Sequence, residues 1–183
     1  KVLSFLLIII INVVIFYPSF FPIARHDQLL YLGDAAGDHS WLSLAVKRAI
    51  QYNRDHHLFA GHDPALFRPL FYFLLGTELW LFQYNFMYWQ ITGLIIHLFV
   101  LWTLFSLLMR IRPNLFAWLL TLFFSVLYAD IEMVIWHHIN IYMVFIACLL
   151  ICFRAFYEIL DTRSVQAKQA WTIFFSLTVA SFI

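Results

Sequence analysis

Apolar residues come in long unbroken runs in this chain, and polar residues gather between them. The first run, "VLSFLLIIIINVVIFYPSFF", covers 2–21. About 20 apolar residues at 1.5 Å rise cross a bilayer core, so this run predicts a span that exits at Pro18 and Pro22. No small-residue cleavage pattern follows it, and it runs past the usual length of a signal-peptide core. It therefore reads as a retained span. "NFMYWQITGLIIHLFVLWTLFSLLM" predicts a second span at 86–109, with Phe86, Tyr88 and Trp89 as its interfacial aromatic belt. Shorter runs at 115–129 and 139–157 predict two more spans, and 171–183 predicts a fifth that is incomplete. The chain starts at Lys1 and stops inside an apolar run, so part of a longer protein is expected.

The stretch 22–84 is different: a polar region too long for a connector, with two helices predicted inside it. In "HSWLSLAVKRAIQYNR", Leu42, Ala45, Val46, Ala49 and Ile50 share one face, and Ser40, Ser43, Lys47, Gln51 and Arg54 lie opposite. That periodicity predicts a helix at 39–54, of the kind that lies on a bilayer surface. The second helix, 69–82, starts at Pro69, a favoured first-turn residue, and carries Gly76, Thr77 and Glu78 in its middle. Its length is short for a span. An interfacial helix is preferred, with a crossing helix as the alternative.

Composition agrees with this pattern. Of 183 residues, 64% are hydrophobic and 11% charged, against roughly half and a quarter in soluble domains. The expected fold class is all-α: a polytopic transmembrane helix bundle, one membrane domain over 1–183, with interfacial helices in its first extracytoplasmic loop. The net charge of +1 suggests no nucleic-acid partner. Cys148 and Cys152 lie four apart in an apolar run and read as small buried side chains. The turn around 130–140 holds two acids and no Lys or Arg, whereas Arg110, Arg112, Arg154, Arg163 and Lys168 fall on the other side. By the positive-inside rule the N-terminus is inside and the 22–84 loop extracytoplasmic, provided that 69–82 does not cross.

One arrangement is similar to a known family. Arg68-Pro69-Leu70, then Leu81-Phe82, Asn85 and Tyr88-Trp89, lead into a long span containing His97 and ending at Arg110. This resembles the GT-C superfamily of polytopic glycosyltransferases, which includes protein O-mannosyltransferases, transmembrane-TPR mannosyltransferases and aminoarabinose-type lipid A transferases. "LFFSVLYADIEMVIWHHINIYMVF" resembles the family's third span, outer turn and fourth span. Gln83 stands where the family usually has Gly, and Ala129-Asp130 where His-Pro is common.

The resemblance implies a sugar transferred from a polyprenyl-phosphate donor on the extracytoplasmic face. The implied catalytic acid lies in the first outer loop, where Asp38 matches best and Asp34 second. A carboxylate there takes the acceptor's proton. Asp38 is also placed to cap the helix starting near Ser40, and the two roles are compatible. Arg68 is the candidate phosphate ligand, because a guanidinium makes bidentate contacts with phosphate oxygens; its alternative is an interfacial snorkelling arginine. Lys47 and Arg48 read as headgroup contacts. No cofactor is required, although a divalent metal is compatible with the family. His56, His57 and His62 are weak metal candidates, since their spacing matches no standard site. His137 and His138 could approach them, and Asp130 and Glu132 could add acids to the same cleft. His97 is a functional residue or a hydrogen-bonding one between helices. The rival to an enzyme is a non-catalytic transmembrane subunit packed within a larger membrane complex.

Overall fold

A computed structural model of the chain describes residues 2–20, 40–47, 50, 69–112, 115–127 and 140–182. Every regular element among them is helical. α1 is Val2–Phe16, followed by a 3-10 turn at Tyr17–Phe20 that carries Pro18. A π-helical segment, Leu42–Lys47, comes next. Then follow α2 (Pro69–Phe82), α3 (Phe86–Ile111), α4 (Leu115–Ser125), α5 (Asn140–Thr162) and α6 (Ala167–Ser181).

α3 is the axis. Phe5 and Ile8 of α1 pack with Leu101, Phe105 and Leu108 of α3 and with Ala117 of α4. Further along, Phe16 packs with Leu94 and Val100 of α3 and with Met143 and Ala147 of α5. Low numbers in α1 thus meet high numbers in α3, so the two helices are antiparallel, whereas Met143 beside Leu94 and Glu158 against Arg110 make α5 parallel to α3. α6 packs along α5. Ala117, Ala147 and Ala155 are buried, and such small side chains let helix backbones approach closely.

The outward faces are as apolar as the core. On α1, Leu6, Ile10 and Val14 are exposed, Val14 by 67%. On α6, Trp171, Phe174 and Phe175 are exposed and their rings pack on one another at centroid distances of 5.6–5.8 Å. Two helices, Met87–Ile111 and Tyr142–Thr162, are long and apolar enough to cross a membrane. Cys148 and Cys152 are free thiols, the first half-buried and the second buried.

Helix limits differ from the sequence reading at several places: α1 ends at Phe16, where a 3-10 turn follows, rather than near 21, and α3 reaches Ile111. α5 continues beyond 157 because Glu158 is held by Arg154 one turn back (Nε–Oε1 3.3 Å) and by Arg110 of α3 (Nη2–Oε1 3.0 Å). The polar residues there extend the helix instead of opening a loop. α6 starts four residues before Trp171, because the Gln166 backbone N–H donates to the Gln169 side-chain oxygen at 2.9 Å and closes the first turn. α4 ends at Ser125 rather than near 129.

The apolar face expected on the 39–54 helix also differs. Leu44 and Ala45 are the buried residues, whereas Leu42 and Ile50 are 53% and 66% exposed. The π-helical turn is the reason: its i→i+5 bonding widens the turn and breaks the 3.6-residue register on which the predicted face depended.

Candidate functional site

The C-terminus of α1, the π-helical segment, α2 and the N-termini of α3 and α5 gather at one end of the bundle, together with the C-terminus of α6. The junction is tied by the Leu70 N–H, which donates to the Phe182 carbonyl at 3.3 Å. The charged side chains described at this end are Lys47 and Glu78. All the others described, Arg110, Arg112, Arg154, Glu158, Asp161, Arg163 and Lys168, lie toward the opposite end, with uncharged helix between.

Local chemistry explains how α2 is held. Pro69 opens it without wasting a backbone donor. The Leu44 N–H donates to the Ser40 carbonyl at 2.9 Å, so the facing helical segment begins at Ser40. Gly76 then faces the backbone of that segment. A Cβ there would collide with the Leu44 carbonyl oxygen and lie 2.6 Å from Leu44 C and 2.7 Å from Ala45 Cα. The Trp41 indole N–H donates to the Thr77 hydroxyl at 3.3 Å, and its ring meets Phe73 edge-on at 5.8 Å. Phe73, Gly76 and Thr77 follow i, i+3, i+4 spacing and form the docking face.

α2 ends in a tight turn. Gln83 adopts φ 45°, its N–H donates to the Leu79 carbonyl at 3.0 Å, and its own carbonyl accepts from the Trp89 indole at 3.2 Å. A left-handed residue just after a helix is the usual place for glycine. This is the position at which the family pattern has glycine and this chain has glutamine.

Among the described residues, Glu78 is the acid at this end. It is half-buried in the middle of α2, and burial pushes its carboxyl from 4.5 up to about 8. Near neutral pH such a carboxyl is mostly protonated. The sequence signal was present, a lone carboxylate within a 14-residue apolar helix, but spacing alone assigned it no role.

Below this layer a buried polar pair joins α1 to α3. Asn12 Nδ2 donates to the Ile8 carbonyl at 2.8 Å, which leaves Oδ1 facing His97 Nε2 at 3.1 Å. The Asn12 oxygen can only accept, so this contact is a hydrogen bond in the tautomer whose Nε2 carries the proton. Phe16 covers the imidazole edge-on at 5.5 Å. His97 therefore makes the interhelical hydrogen bond expected of it. Its partner went unread, although an asparagine within "IIIINVV" is a polar group that needs a mate.

The candidates Asp34, Asp38, Arg68, His56, His57 and His62 lie outside the described residues, as do Arg48, Asp130, Glu132, His137 and His138. Lys47 is described and exposed. Among the described residues, no group of three or more His, Cys, Asp or Glu is placed to hold a metal ion. Compared with family models, curated proteins and solved structures, the chain matches none of them.

Proposed function

We propose that this chain is part of a multi-pass membrane glycosyltransferase of GT-C type, with its N-terminus inside and the 22–84 loop extracytoplasmic. The observation that carries the reading is the path Pro69–Ile111. A helix opened by Pro69 lies against a second helical segment, turns through a left-handed Gln83, and enters a 26-residue apolar helix that ends in Arg110. That is the course the Arg-Pro-Leu segment takes in the family it resembles. Two further features support a polytopic membrane setting. The helices are apolar on their outward as well as their inward faces, which suits lipid, and the charged side chains among the described residues lie at the two ends.

In this reading a polyprenyl-phosphate sugar enters from the bilayer at the extracytoplasmic end. Asp38, with Asp34 as the second candidate, takes the proton of the acceptor hydroxyl or amine. The freed lone pair forms the new bond at the anomeric carbon. The bond from that carbon to the phosphate oxygen breaks, and polyprenyl phosphate leaves with its negative charge held by Arg68. Asp38→Asn should lower transfer from a polyprenyl-phosphate sugar by at least about 100-fold while leaving membrane expression unchanged. Undiminished transfer would remove Asp38 from the mechanism.

A second reading, a non-catalytic transmembrane subunit of a larger complex, is favoured by the exposed row Trp171, Phe174 and Phe175 on α6. Aromatic rows of this kind anchor protein contacts. Absence of transfer from the wild-type chain, with co-purification of other membrane proteins that is lost on Trp171→Ala, would select it.

A further inference from the structure

The end of the bundle opposite α2 carries five described basic side chains, Arg110, Arg112, Arg154, Arg163 and Lys168, against Glu158 and Asp161. Three of these groups form a joined unit across two helices. Glu158 Oε1 accepts from Arg110 Nη2 of α3 at 3.0 Å and from Arg154 Nε of its own helix at 3.3 Å. Arg154 Nη1 donates to the Ser106 hydroxyl at 3.0 Å. One carboxylate thus fixes two guanidiniums, and one positive charge is left over within the unit.

The fixed guanidiniums still face outward. The Arg110 and Arg154 side chains are 43% and 40% exposed. A guanidinium has five N–H donors, and the contacts described use one nitrogen of Arg110 and two of Arg154. Arg154 and Ser106 sit one helical turn, about 6 Å, further into the apolar zone than Glu158 and Arg110. Exposed apolar side chains adjoin the cluster in the chain: Ile111 next to Arg110 on α3, and Phe153 next to Arg154 on α5.

We infer that this cluster is a seat for the headgroup phosphate of an anionic phospholipid in the inner leaflet. The remaining guanidinium donors take the phosphodiester oxygens, and the lipid's acyl chains lie against the adjoining apolar surface, Phe153 included. The apolar flank selects a lipid over a free anion. The surplus positive charge selects an anionic headgroup over a zwitterionic one, as expected of basic groups at the cytoplasmic surface. The inference rests on the membrane reading proposed above.

The test uses the purified chain in detergent, titrated with phosphatidylglycerol, phosphatidylcholine or inorganic phosphate. Phosphatidylglycerol should raise the melting temperature by about 3–5 °C more than phosphatidylcholine does, and inorganic phosphate should not move it. The combined variant Arg110→Gln, Glu158→Gln, Arg154→Gln leaves no orphaned carboxylate and should lose that difference. Equal shifts for both lipids, an equal shift with inorganic phosphate, or a difference retained in the variant would each overturn the seat. If the variant fails to fold, native mass spectrometry of the wild-type chain decides: retained phosphatidylglycerol without retained phosphatidylcholine supports the seat, and equal retention sinks it. Carbonate washing of the source membranes separates the two levels. A chain released by the wash sinks the membrane reading itself, whereas a chain that stays without headgroup preference sinks only the lipid seat.

Discussion

Asn12 and Glu78 show how one polar atom in apolar surroundings is managed in two ways. Asn12 is matched: its amide bonds its own helix and its oxygen meets His97. Breaking either side strands the other. Asn12→Val and His97→Leu should each cost about 1–2 kcal/mol, and the double change should cost less than the two together. The expected coupling is about 0.5–1.5 kcal/mol, read from unfolding of the four proteins in detergent; strict additivity would mean that the contact carries no energy. Glu78 is instead kept neutral by burial. Between pH 4.5 and about 8 the folded chain holds a proton that the unfolded chain has released, so stability falls as pH rises through that window. Glu78→Gln should flatten this slope and be the more stable protein above pH 8. Parallel melting-temperature profiles of the two proteins from pH 5 to 9 would contradict the assignment.

Among the elements, α2 was the most legible and its partner the least. Pro69 and the apolar run after it marked both ends of α2, because proline position and hydropathy are local properties. The segment facing it was misread in register, because a π-helical turn leaves no mark in a 3.6-residue pattern. The later limits were missed for a related reason. Glu158 through Thr162 read as loop by composition, and Arg110, distant in sequence, joins Arg154 in holding Glu158 within the helix. The candidates Asp38 and Arg68 rest on residue type and place in the sequence alone, since both lie outside the described residues. Glu78 and Asn12, which the structure does place, are single polar residues without a motif. What joins α2 to its neighbour is a missing side chain. Gly76→Ala puts a methyl group against backbone atoms that cannot rotate away. It should cost about 1–3 kcal/mol and speed tryptic cleavage after Lys47, whereas Ala at the exposed Leu81 should do neither. Unchanged cleavage would mean that the two helices separate freely already.

Over the whole molecule, the two charged ends are joined by helices without a described charge between them. Phe86 to Arg110 of α3 covers about 36 Å at 1.5 Å per residue, a little more than the hydrocarbon core. The orientation proposed from the basic end gives a direct expectation. In a background lacking Cys148 and Cys152, an impermeant maleimide added to sealed right-side-out vesicles should label Tyr84→Cys at once. Ser164→Cys should label only after permeabilisation. The reverse order would invert the topology, and equal labelling would argue against a sealed crossing by α3.

The bond from Leu70 to Phe182 joins residues 112 positions apart, and that separation sets a clock. At roughly 5–20 residues per second on the ribosome, the acceptor is synthesised about 6–22 s after the donor. Through that interval α2 is held by its contacts with the 40–47 segment and by the Gln83–Trp89 turn, without the Phe182 bond. A chain that docks α2 late exposes its apolar surface to chaperones and proteases for the same span of seconds, so the yield of folded protein should depend on translation speed between these two residues more than on codons before or after them.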